Sequence, residues 1–69
     1  MATEVIFLVE EAPEGGFAAR ALGHSIFTEA DTWDELRRAI RDAVNCHFEP
    51  EQVPPVIRIH HVREEVLSR

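Results

Sequence analysis

Four histidines, one cysteine and thirteen carboxylates are the side chains with which this 69-residue chain could do chemistry. Glu4, Glu10 and Asp31 stand near strand ends or the start of a helix, the kind of position from which carboxylates bridge divalent cations in a nuclease. No Asp falls within the first apolar run, and Asp31 is better used by the first helical turn, where the macrodipole favours negative charge. His60 and His61 are adjacent in a strand, so they point to opposite faces and cannot chelate one ion together. His24 follows Gly23 in a turn, and Cys46 precedes His47 near a helix end, which puts the thiol and the imidazole on different faces. A metal shared across a dimer interface is what this spacing leaves open. One cysteine excludes an intrachain disulfide and a thiolate-rich structural zinc site. Gly15-Gly16 precedes a strand rather than a helix, which makes it a hairpin device and not a phosphate loop. Trp33 and Phe48 bracket a helical stripe and are read as core. We expect no catalytic residue, no metal and no cofactor.

The elements that must position these residues follow from apolar spacing. Residues 3–10, TEVIFLVE, form a strand whose centre is apolar on both faces: Val5, Phe7 and Val9 on one, Ile6 and Leu8 on the other. Residues 12–16 make a turn, and residues 17–22, FAARAL, return as a second strand. Gly23 permits another reversal into a third strand over residues 25–29, SIFTE. Thr32 and Glu35 have capping-box spacing, and Trp33, Leu36, Ile40, Ala43, Val44, His47 and Phe48 form one helical stripe that ends at Pro50. Asp34 and Arg38 are placed for an i,i+4 pair. A connector rich in proline leads to a fourth strand, Val56 to Val62, and a tail that either extends it or adds a helical turn. The expectation is one α+β domain over residues 1–69, β-β-β-α-β, with a mixed four-stranded sheet ordered 3-2-1-4 and one helix on one face.

A chain this short buries only about 60% of the surface its unfolded form exposes, and self-association is a common staple at this size. One helix covers one face of a sheet whose first strand is apolar on both, so the uncovered face or the free edge of the fourth strand should meet a second copy. The candidate interface residues are Ile6, Leu8, Val56, Arg58, Ile59, His60 and Val62. The closed two-fold pair is the simplest assembly.

Charge narrows the partners. Seven arginines, with no lysine, stand against thirteen acidic residues, for a net charge of −6. That argues against direct nucleic-acid binding and against an anionic membrane surface, and it permits a basic protein partner. No apolar run reaches the length of a membrane span, and Met1-Ala2-Thr3-Glu4 lacks the basic start of a secretory signal, so a cytoplasmic protein is expected.

Several short motifs, in order, resemble a known family. Glu14-Gly15-Gly16-Phe17-x-Ala19 resembles the acidic-Gly-Gly-aromatic-x-Ala hairpin of HicB-like proteins. Gly23 to Thr28, followed by Asp31-Thr32-Trp33-Asp34-Glu35-Leu36, is similar to the family's next strand and helix start, and residues 38–44, RAIRDAV, to its helix. The resemblance covers roughly residues 4 to 48, with Arg20 to Gly23 standing where the family has a Pro-Glu-Leu-Pro-Gly loop. It implies a degenerate ribonuclease-H-like fold and a non-enzymatic antitoxin that blocks a HicA-like partner, a small basic RNA-cleaving toxin. The chain ends at Arg69, so no C-terminal DNA-binding domain is expected. The alternatives are a solitary dimeric scaffold and a remnant metal-dependent nuclease.

Overall fold

The computed structural model describes residues 3–63 and 65–69; Met1, Ala2 and Glu64 lie outside the described residues. Its elements are β1 (Glu4–Glu11), β2 (Phe17–Ala21), β3 (Phe27–Ala30), α1 (Trp33–His47), a 3-10 turn (Pro50–Gln52) and β4 (Val56–Val62). The sheet order is β3-β2-β1-β4, with β1 antiparallel to β2 and parallel to β4, and β2 antiparallel to β3. This is the α+β, 3-2-1-4 arrangement that the strand and helix patterns predict. Among the described residues no helix is long and apolar enough to cross a membrane.

The β1–β2 connection is a tight reversal. The Ala12 amide donates to the Gly16 carbonyl and the Gly15 amide to the Ala12 carbonyl, each at 3.0 Å. Gly16 has φ +83°, and a β-carbon there would stand 2.8 Å from the Ala30 carbonyl oxygen. Both the positive φ and that close approach demand glycine. The second reversal shortens β3. The Ala21 amide donates to the Ile26 carbonyl at 3.0 Å, so Ser25 and Ile26 belong to the turn and the strand starts at Phe27.

Thr32 caps α1 as its spacing to Glu35 predicts: the Glu35 amide donates to Thr32 Oγ1 at 3.2 Å, and the Thr32 hydroxyl donates to Glu35 Oε1 at 3.1 Å. The helix stops at His47, short of Pro50. Phe48 and Glu49 both have extended ψ, near 148–149°; for Glu49 the following Pro50 ring disfavours helical space. Asp34 pairs with Arg37 at 3.9 Å rather than with Arg38. The connector contains the 3-10 turn, closed by the Gln52 amide on the Glu49 carbonyl at 2.8 Å. Beyond β4, residues 65–69 form neither strand nor helix, which corrects both readings of the tail.

The helix covers one face of the sheet. Val5, Phe7 and Val9 of β1, Ala19 and Ala21 of β2, and Ile26 are buried against Leu36, Ile40 and Val44. Trp33 and Phe48 pack against the edge of this core, as expected. The helix runs beside β3 and β2, so Ile57 and Ile59 on the far strand are only partly buried.

Candidate interaction surface

The pairing registers assign every strand residue to a face. Val5, Phe7 and Val9 stand opposite Ile57, Ile59 and His61 of β4, and Phe7 and Val9 opposite Ala21 and Ala19 of β2. The intervening residues make the other face, which no element among the described residues covers: Glu4, Ile6, Leu8 and Glu10 of β1, Ala18 and Arg20 of β2, Phe27 and Glu29 of β3, and Val56, Arg58, His60 and Val62 of β4.

Six of the seven predicted interface residues therefore come together: Ile6, Leu8, Val56, Arg58, His60 and Val62. Ile59 does not join them. It pairs with Phe7 on the helix-covered face, since alternate residues of a strand face opposite ways. Sequence reasoning missed Phe27, which is 65% exposed, together with Leu22 and Arg20. The signal was present in Arg20, whose place between Ala19 and Ala21 marks the polar side of β2 and, through the register, the side of Leu8 and Phe27.

Across this open face Phe27, Arg20, Leu8 and His60 form one row. A hollow of about 70 Å³ lies between Leu8, Ala18, Arg20 and Phe27, where the small Ala18 side chain leaves space. Arg58 grips Glu4 at the end of the face, with Nη2 3.0 Å and Nε 3.3 Å from Oε1. The hydrogen bond that Arg58 donates to the Glu4 carboxylate, reinforced by the carboxylate's charge, raises the Arg58 pKa above its ordinary value.

A second feature lies at the β3 edge. A cleft of about 540 Å³ opens between the β1–β2 turn and the first turns of α1, lined by Glu14, Phe17, Glu29, Asp31 and Glu35. None of its lining side chains is basic.

The histidines divide by location. His61 lies over Trp33 and Phe17, ring centroids 5.1 and 5.8 Å away, with Nε2 3.8 Å from the Glu11 carboxylate. His60 is on the open face, as the strand alternation requires. His24 meets His47 and Phe48 at the other end of the helix, at 5.8 and 5.0 Å, a proximity the sequence separation conceals. Cys46 is exposed. Glu4 is engaged by Arg58, Glu10 is on the open face and Asp31 is in the cleft, so the three carboxylates are not gathered. Among the described residues no three or more His, Cys, Asp or Glu side chains surround a common point.

The chain is similar to two proteins that bear the same family name. It is 58% identical over 50 residues to a UPF0150 protein of Archaeoglobus fulgidus, covering 72% of this chain and 74% of that one. It is 37% identical over 65 residues to a UPF0150 protein of Thermotoga maritima, covering 94% and 91%. No protein-family model and no solved structure matches.

Proposed function

The chain belongs to the UPF0150 family, and we propose that it is a non-enzymatic interaction module that occludes a small basic, RNA-targeting partner in the manner of a HicB-type antitoxin. The observation that carries this reading is the acidic cleft at the β3 edge. Glu14, Asp31 and Glu35 converge there on a concavity large enough to take several side chains of a partner. A basic RNA-binding surface is complementary to it, and occlusion needs only that complementarity, without catalysis. The net charge of −6 draws the same partner from a distance. The hairpin and helix-start motifs that resemble HicB-like proteins, Glu14 to Ala19 and Asp31 to Leu36, border this cleft. The module acts as a homo-oligomer, most simply a dimer, in the cytoplasm.

A solitary dimeric scaffold is the second reading, favoured by the uncovered sheet face. The two separate on the neighbouring gene. A basic frame encoding a small domain of about 60–80 residues is co-expressed with this chain. The expected result is a complex that withstands purification and suppresses RNA cleavage by the partner. Glu14→Lys with Asp31→Lys should release that suppression. Absence of such a frame, or RNA cleavage unaffected by excess chain, would leave the scaffold reading in place of the antitoxin one.

A further inference from the structure

We infer that the open sheet face is the surface through which two copies of this chain associate, with Phe27 of each copy seated in the other's hollow over Ala18. This rests on the homo-oligomer part of the proposed function but not on the toxin partner. The face carries Ile6, Leu8, Phe27, Val56 and Val62, of which Phe27, Val56 and Val62 are well exposed. Four strands at about 4.8 Å spacing and about 20 Å length give it roughly 400 Å², over which these apolar side chains alternate with charged ones.

Charge selects the occupant. The chain as a whole is strongly acidic, so two copies repel across most approaches. The open face is the exception: Glu4, Glu10 and Glu29 are set among Arg20, Arg58 and His60. A face of mixed sign can meet its own copy with each arginine opposite a carboxylate, which a two-fold contact does twice over. A basic partner is better served by the cleft, where Glu14, Glu29, Asp31 and Glu35 line the wall with no basic side chain among them. Shape agrees with charge. Phe27 projects from an edge strand and forms one wall of the hollow, with Leu8, Glu10 and Ala18 among the others. A knob and a hole side by side on one surface are self-complementary about a two-fold axis. Aromatic side chains entering such depressions dominate the energetics of interfaces.

The full chain at tens of micromolar should scatter light as a species of twice 7.9 kDa. Phe27→Asp should weaken the dimer by at least about thirtyfold while leaving the far-UV circular dichroism unchanged, since the side chain is exposed in the single chain. Arg20→Glu, at a fully surface position, should raise the dissociation constant about tenfold, and it decides the matter if Phe27→Asp fails to fold. The double change Val66→Asp, Leu67→Asp is the control. Those tail residues are 81% exposed and follow the end of β4, outside the sheet, so the dimer should be unaffected. A 7.9 kDa monomer for the unaltered chain, or loss of the dimer in the tail variant but not in Phe27→Asp, would overturn the assignment. Neither outcome bears on whether a basic partner is bound.

Discussion

β1 presents two nearly equal apolar surfaces that meet different fates. Val5, Phe7 and Val9 are between 0 and 2% exposed beneath the helix, whereas Ile6 and Leu8, one residue out of step, are only half-buried. Residue type does not separate these sets; their neighbours do. On the covered side the cross-strand partners are Ala19, Ala21, Ile57 and Ile59, small or apolar, and a stripe of Leu36, Ile40 and Val44 can seat on them. On the open side the partners of Leu8 are Arg20 and His60, and the partner of Ile6 is Arg58. A helix packed there would take the guanidinium groups of Arg20 and Arg58, and the Glu4 carboxylate, out of water, at a cost of several kcal/mol each. Arginines on a sheet face thus direct the chain's own helix to the other side while leaving this one usable by a surface that brings carboxylates.

The largest contrast is tested by Phe7→Ala. Phe7 is fully buried at the centre of the covered face, and its truncation leaves a cavity that helix and sheet can only partly close. The expected loss is about 3–5 kcal/mol, enough to unfold a domain of this size, read as collapse of the urea or thermal transition. A loss no greater than that of an exposed-site change would mean that the covered face is not the core.

Leu8→Glu is the opposite experiment on the same strand. In the single chain the new carboxylate would lie between Arg20 and His60 and stay in contact with water, so the monomer should remain folded. In the proposed dimer the same charge would be buried, and association should be lost. Unfolding in place of dissociation would show that Leu8 is as structural as Phe7 and that the two faces do not differ in role.

How far this contrast could be read from sequence depends on which residues carry it. The strand order and the covering of one face follow from local alternation, from turn chemistry at residues 12–16 and from the Thr32 cap. Which of the two β1 faces the helix chooses does not follow from β1 alone, because both are apolar. It requires the five-residue turn to set Glu11 opposite Phe17, and then Arg20 to mark the side of Leu8. Phe27 cannot be assigned from its own strand, because residues 25–29, SIFTE, mix polar and apolar side chains on both sides; only the register that sets Phe27 opposite Arg20 places it on the open face. The meeting of Phe17, Trp33 and His61, and of His24 with His47, joins segments distant in sequence, to which no local pattern points. The acidic cleft has the same origin, since Glu14 and Glu35 are brought together only by packing of the hairpin beside the helix start.

A smaller effect is expected from Thr32→Ala, which acts on the covered face alone. It removes the acceptor for the Glu35 amide and the donor to its carboxylate, at the end of the one helix that closes the core. The loss should be about 1 kcal/mol in the single chain, seen as a lower thermal midpoint, with no change in the light-scattering mass at temperatures where the protein is folded. A change in assembly would show that the helix start, and with it the cleft, contributes to the contact between copies.

The smallest effect should come from Arg58→Ala. Its contact with Glu4 is close, 3.0 Å, and forked, and it would rank high on any inspection of the open face. Both side chains remain in contact with solvent, however, so the attraction is screened by water and salt and is offset by the rotamer freedom lost in holding two long side chains together. The single chain should therefore melt within error of the unaltered protein at physiological salt, as should Glu4→Gln. The open face gives the pair a different use. If two copies meet there, water is withdrawn and Arg58 must face a carboxylate, so its removal should weaken association even though it leaves folding untouched. Sedimentation of Arg58→Ala alongside its melting curve reads both quantities. A drop in the melting midpoint of the monomer as large as that of Thr32→Ala would mean that the ion pair fastens β4 to β1 and belongs to the fold. An unchanged midpoint with weaker association would place it with the arginines that keep this face open for a second copy.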